Sequence, residues 1–212
     1  MDDIDRFLRE DLGKKGDITS EALFTVETAR AGIQAKEACI VAGLHEAQQV
    51  FQKVGASVRL LSTDGADVRK GERVLEIQGP IRAILQGERL ALNIIGRMSG
   101  ITTETKRLVQ QCKKVNPKVM IAATRKTTPG FRLFEKKAII LAGGEPHRYG
   151  LYDAVLIKDN HLKLFQSIEE PIQRIRQNLP KHRIEIEVEN ETDALSAARM
   201  NVEIIMLDNF PP

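Results

Sequence analysis

Four apolar runs in the second half of the chain each lead into charged residues, and this pattern limits the fold more than any other feature. Lys118-Val119-Met120-Ile121-Ala122-Ala123 runs into Thr124-Arg125-Lys126-Thr127-Thr128-Pro129-Gly130. Tyr152-Asp153-Ala154-Val155-Leu156-Ile157 runs into Lys158-Asp159-Asn160-His161. Ile184-Glu185-Ile186-Glu187-Val188 carries carboxylates along its length, and Val202-Glu203-Ile204-Ile205-Met206-Leu207 ends at Asp208-Asn209. The segments between are long enough for helices, expected over 132–141, 165–177 and 192–200. Strand–helix alternation implies parallel strands, whose C-terminal ends lie at one edge of the sheet. Two cationic and two anionic strand ends are therefore expected together, a charge set suited to an anionic substrate beside a metal.

The first half reads differently. A short helix is expected over 3–12, where Ile4, Phe7, Leu8 and Leu12 recur about once per turn, and a turn or cap at Thr19-Ser20-Glu21. Paired strands are expected over 29–44, a helix over 45–54, and strands over 57–61 and 73–77. The piece from Asp64 to Ile77, DGADVRKGERVLEI, resembles half of a biotinyl or lipoyl carrier domain. No modifiable lysine at a tight hairpin within a duplicated sheet accompanies it, so a plain structural hairpin is expected. Residues 82–112 are helical in character, with breaks at Gly96 and Ser99-Gly100 that predict two helices. The expected organisation is an N-terminal α/β sandwich with linking helices over 1–112, then an α/β barrel over 113–212. A closed barrel needs more than four strands, and Asp208-Asn209-Phe210-Pro211-Pro212 follows a strand with no helix after it. The barrel is therefore read as open and incomplete, and the chain as a fragment.

Composition excludes several classes of function. A net charge of +3 spread along 212 residues, with no basic run interleaved with aromatics, does not suit nucleic-acid binding. Seven Phe, two Tyr and no Trp leave little for stacking on bases. Cys39 and Cys112 fit reduced thiols better than a disulfide framework. No apolar run approaches the ~20 residues that span a bilayer, and the acidic, amphipathic N-terminus is unlike a signal peptide. A cytoplasmic protein is expected.

The charged strand ends carry the candidate chemistry. Arg125 can fork onto a carboxylate, and Lys126 beside it can act as a movable charge for phosphate. Gly143-Gly144-Glu145-Pro146-His147-Arg148 is a second loop of this kind, with glycines that allow close backbone approach and a His-Arg pair after them. Glu187 and Asp208 offer hard oxygen ligands of the sort Mg²⁺ takes. Glu185, Glu187 and Glu189 share a strand face, and periodicity leaves open which of them reaches the mouth of the barrel. There is no P-loop, no GxGxxG after a strand, no serine nucleophile elbow and no zinc spacing.

These residues lie in a set of linked motifs. TRKTTPGFRLFEKKAIILAGGEPHRYGLYDAVLIKDNH, IEIEVEN and IIMLDNF, preceded by EDLGKKGDITS and GERLALNIIGRMSGITT, resemble the quinolinate phosphoribosyltransferases along essentially the whole chain. The resemblance implies an N-terminal α/β sandwich followed by an open α/β barrel of the type II phosphoribosyltransferase kind. It implies a pentosyltransferase in NAD biosynthesis, a nicotinate-nucleotide pyrophosphorylase (carboxylating). Such an enzyme moves phosphoribosyl from phosphoribosyl pyrophosphate to quinolinate, releases CO₂ and requires Mg²⁺. It further implies a homodimer, or a higher oligomer, in which Arg89 reaches into the neighbouring site. Arg125, His147 and Arg148 match residues that hold quinolinate's carboxylates, with Lys126 nearby, and Lys158 matches a lysine near substrate and pyrophosphate. Glu187 and Asp208 match the acidic pair facing ribose and metal, so the choice of Glu187 over Glu185 comes from the family. Lys126, Lys158, Glu187 and Asp208 are the expected catalytic set, and His147 and His161 are candidate bases. In the family, later glycine-rich loops hold the ribose 5′-phosphate, so weak phosphoribosyl pyrophosphate binding and little activity are expected of these 212 residues. Readings left open are nicotinate phosphoribosyltransferase, a molybdenum-transport-associated homologue of the same fold, and a non-catalytic ligand-binding or dimerising fragment.

Overall fold

The computed structural model describes residues 2–211 and contains two compact units, Met1–His147 and Arg148–Pro212. The first unit holds α1 (Asp3–Leu12), α2 (Ile18–Leu23), β1 (Thr28–Gln34), β2 (Cys39–Ile40) and α3 (Leu44–Lys53). It continues with β3 (Ser57–Leu60), β4 (Asp67–Val68), β5 (Arg73–Pro80), α4 (Ile81–Val115) and α5 (Arg132–Leu141). An antiparallel sheet runs in the order β1-β5-β3, and β2 pairs with β4 in a separate two-stranded ladder. Exposure alternates along β1, so Ala29, Ala31 and Ile33 face the helices while Arg30, Gly32 and Gln34 face away. The core joins Leu75 and Ile77 of β5 to Leu44, Val50 and Phe51 of α3, Ile94 and Met98 of α4, and Phe134 and Ala138 of α5. Because α5 shares this core, the first compact unit extends to residue 147. Both cysteines are free thiols, and no described helix is long and apolar enough to cross a membrane.

Three expectations for this unit are corrected. Residues 81–115 form one helix rather than two, because packing outweighs the glycine penalty: Ala91, Ile94, Ile95, Met98, Ser99 and Thr102 are buried along one side. Ser99, expected at a break, instead ties the helix to the body, its Oγ accepting from Ala42 N (3.0 Å) and donating to Ala42 O (3.2 Å). The expected strand over 118–123 is reduced to a single parallel bridge between Ala122 and Glu145. Glu145 alone supplies its partners there, donating to Ile121 O and accepting from Ala123 N, each at 2.8 Å. At Thr19-Ser20-Glu21 the chain is already helical, and Asp17 is the cap, accepting from Thr19 N and Ser20 N.

The second unit holds β6 (Val155–Ile157), α6 (Asp159–Leu162), α7 (Glu169–Asn178), β7 (Ile184–Val188), α8 (Glu191–Arg199) and β8 (Ile204–Leu207). Its strands form an open parallel sheet in the order β6-β7-β8, the βα repetition read from the sequence. One sheet face is apolar, with Val155, Ile157, Ile184, Ile186, Val188 and Ile205 packed under Ile168, Ile172 and Ala197 of the helical layer. Helix α7 starts four residues later than expected, because Pro171 fits a first helical turn and would break an interior one. Strand β6 is shorter than expected, since Asp153 accepts from Tyr149 N at 2.7 Å and closes a turn instead. Strand β8 begins only at Ile204: the Glu203 carboxylate takes the Ile184 N–H (2.8 Å), and that bond draws its pKa below the ordinary value.

The long helix generates a test. A Cβ on Gly87 would lie 2.8 Å from Phe51 Cδ1, whereas one on Gly96 would meet nothing within 4 Å. Gly87→Ala is expected to destabilise by about 1–3 kcal/mol through overpacking, and Gly96→Ala to stabilise by about 0.5–1 kcal/mol. Urea unfolding midpoints check both; equal shifts would mean that the helix does not pack on Phe51 as described.

Candidate active site

In the first unit the site residues lie on two loops that leave one parallel bridge in the same direction. The Ala122–Glu145 bridge is followed on one side by Thr124, Arg125 and Lys126, and on the other by Pro146 and His147. Exposure alternates from Val119 to Thr127, which turns Arg125 inward with Ile121 and Ala123, while Lys126 is exposed. Arg125 Nε is buried and has no hydrogen-bond partner among the described residues. A buried donor of this kind needs an acceptor from outside the protein, whether water or a ligand. The Lys126 N–H donates to Thr124 Oγ1 (3.0 Å), which closes a local side-chain turn. His147 adopts a left-handed backbone with φ of 52°. Arg89 is exposed on α4.

The second unit brings Lys158 and Glu187 together, and its strand register explains why. Ile157 pairs with Ile186, so Lys158 stands beside Glu187, and its Nζ donates to Glu187 Oε2 at 2.7 Å. Val188 pairs with Leu207, and the ladder extends to the Asp208 N–H, which donates to Val188 O (2.9 Å). Paired residues of a parallel ladder point the same way, and the direction repeats every second residue. Lys158, Glu185, Glu187, Glu189, Met206 and Asp208 therefore share the face opposite the helices. Depth along the strand distinguishes the glutamates: Glu185 is buried, Glu187 is half-buried against Lys158, and Glu189 is exposed. Asp208 Oδ2 accepts from Asn209 Nδ2 at 3.0 Å. His161 Nδ1 accepts from the Lys158 N–H (2.9 Å), so this histidine orients the backbone carrying Lys158. Arg148 is buried, with Nη1 donating to Ala154 O at 3.4 Å.

Comparison with known proteins bears on the whole chain. Residues 17–99 match the quinolinate phosphoribosyl transferase N-terminal domain, and residues 101–212 match the C-terminal domain of the same family. The chain belongs to the quinolinate phosphoribosyltransferase family. Over its full length it is 40% identical to a probable nicotinate-nucleotide pyrophosphorylase (carboxylating) of Methanothermobacter thermautotrophicus, covering 76% of that relative. A protein of the same name from Bacillus subtilis is 40% identical over 99% of the chain and 72% of the relative. A crystal structure of a NadC deletion mutant is 37% identical with a TM-score of 0.92, over 98% of this chain and 74% of that one.

Sequence reasoning missed the groups that hold the first loop of this transferase-family site in place. Arg97 on α4 donates to Glu135 Oε1 from Nη2 (2.7 Å) and Nε (3.2 Å). Thr128 Oγ1 donates to the same oxygen (2.8 Å), and Arg132 Nε donates to Thr127 Oγ1 (3.0 Å). From the other side Arg6 Nη2 donates to Gly130 O (2.8 Å), while Phe7 packs with Phe131 and Phe134. A signal was present: Glu135 and Lys136 sit between Phe134 and Ala138 on the buried side of α5.

Burial works to raise the Glu135 pKa, but the bonds from Arg97 and Thr128 outweigh it and hold the carboxyl below its ordinary value. Its contribution to stability is therefore present above the unfolded glutamate value of about 4.3 and lost as pH falls through the folded one. Glu135→Gln is expected to lose about 1–2 kcal/mol at pH 7. The gap to the unsubstituted chain should stay constant above about pH 5 and close in more acid solution. Unfolding curves across that range check it, and a gap independent of pH would show that the charge at Glu135 plays no part.

Proposed function

We propose that this chain catalyses transfer of the phosphoribosyl group from phosphoribosyl pyrophosphate to quinolinate, giving nicotinate mononucleotide, pyrophosphate and CO₂. Membership of the family supports the reaction class, and one structural observation carries the choice of a carboxylate substrate: the buried, unpartnered Nε of Arg125. A guanidinium nitrogen that is buried and has no protein acceptor can give its hydrogen bond to an anion. Arg125, His147 and Arg148 take the two carboxylates of quinolinate, and the exposed ammonium of Lys126 serves the phosphates.

The reaction needs no protein nucleophile. The ring nitrogen's lone pair forms the bond to C1 of the ribose as the bond from C1 to the pyrophosphate oxygen breaks. The carboxylate next to the now cationic nitrogen then leaves as CO₂. The electron pair remaining on the ring carbon is stabilised by that nitrogen and takes up a proton. Lys158 acts on the charge that develops at the leaving group, and Glu187 orients Lys158 through their ion pair. Glu187 and Asp208 suit Mg²⁺ as hard oxygen donors on one sheet face. The ion would be shared with substrate phosphates and water, as Mg²⁺ usually is. When bound, Mg²⁺ supplies charge neutralisation to the pyrophosphate.

The decisive assay follows nicotinate mononucleotide formation from quinolinate, with nicotinate in parallel, with and without Mg²⁺. Product from quinolinate alone is expected, with loss on chelation. Product from nicotinate alone would overturn the reading. Lys158→Ala should lower kcat by about 10²–10³-fold without loss of fold. The reading extends to a cytoplasmic homodimer in which the exposed Arg89 on α4 reaches the neighbouring copy's site. Mixing Arg89→Ala and Lys158→Ala chains, each strongly impaired alone, should then restore partial activity; no recovery on mixing would count against a shared site.

A further inference from the structure

We infer that Lys136 is a positioning residue for His147. It rests on the quinolinate reading only in its kinetic consequence. Lys136 is fully buried on α5, and its Nζ donates to the carbonyl of Pro146, the residue immediately before His147. A methionine of similar length would fill the same space without burying an ammonium, so the charge has a cost that packing does not require. What the charge secures is the path of the chain. Glu145 is held by its two bonds to the 121–123 segment, and Pro146 fixes its own φ and keeps the preceding residue extended.

Gly144 lies close against α5, where a Cβ would come 2.7 Å from Ile139 Cγ2. His147 then takes a φ of 52°, a conformation that a side chain disfavours and that persists only where its surroundings determine it. The charge-assisted bond from Lys136 pins the carbonyl on the N-terminal side of that residue. Neighbouring residues of α5 point elsewhere, Glu135 to Thr128 and Lys137 to Glu46 (2.6 Å), so one helix holds the first loop, the second loop and the body of the unit.

The test replaces the ammonium and reads the histidine. The chain has four histidines, so the imidazole proton signal of His147 can be assigned by comparison with His147→Gln. Lys136→Met should shift that signal and leave those of His45, His161 and His182 in place. It should raise KM for quinolinate by about tenfold or more and leave KM for phosphoribosyl pyrophosphate within about twofold. Combined with His147→Ala, it should add little further, because its effect passes through that residue. Lys136→Gln, which keeps a neutral donor, should show smaller changes in the same direction and decides the matter if the methionine variant does not fold. An unmoved His147 signal, or equal losses for both substrates that persist in the His147→Ala background, would overturn the inference. A moved signal in a chain that does not turn over quinolinate would leave the positioning supported and the quinolinate reading refuted.

Discussion

In a parallel ladder, paired residues point the same way, and this constraint orders everything the second unit contributes. Pairing of Ile157 with Ile186 and of Val188 with Leu207 puts Lys158, Glu187 and Asp208 on one face. The other face is then Val155, Ile157, Ile184, Ile186, Val188 and Ile205, which the helices cover. A slip of one residue in β7 would exchange the faces and put carboxylates against Ile172 and Ala197. The apolar core thus sets the register, and the register places the charges. The chemistry at this sheet edge follows from hydrophobic burial on its far side.

The first unit solves a different problem, which is to hold two irregular loops in defined positions without a ladder. Its means is buried charge on α5. Glu135 and Lys136 are almost wholly removed from water, and such groups are tolerable only when bonded. Each is bonded to a loop, Glu135 to Thr128 and Lys136 to Pro146. Buried ionic groups add little net stability compared with apolar residues of the same size. Their value here is directional, because an ammonium or carboxylate accepts only a partner of the right kind at the right place. Arg97 and Arg6 complete the hold on the first loop from α4 and α1.

Much of this was legible in the chain itself. The apolar runs ending in charge marked β6, β7 and β8, and the period of α5 gave its bounds from Arg132 to Leu141. Alternation placed Glu185, Glu187 and Glu189 on a common face. Local signals misled where a distant partner outweighed them. Gly96 and Ser99-Gly100 look like helix breaks, yet Ala42 and the core beneath Met98 keep α4 continuous. The run from Lys118 to Ala123 has strand character, but among the described residues it bridges to Glu145 alone.

The sequence by itself determined the class of fold, the division of each strand into a covered and a charged face, and the inventory of charges at the strand ends. These depend on periodicity, which is local. Tertiary structure alone decided that Glu187 rather than Glu185 meets Lys158, that Arg125 Nε is buried without a partner, and that Lys136 stands behind His147. Depth along a strand, the loss of water around one atom, and a bond between a helix and a loop ten residues away depend on which surfaces meet when the chain closes, and no repeat in the sequence encodes them.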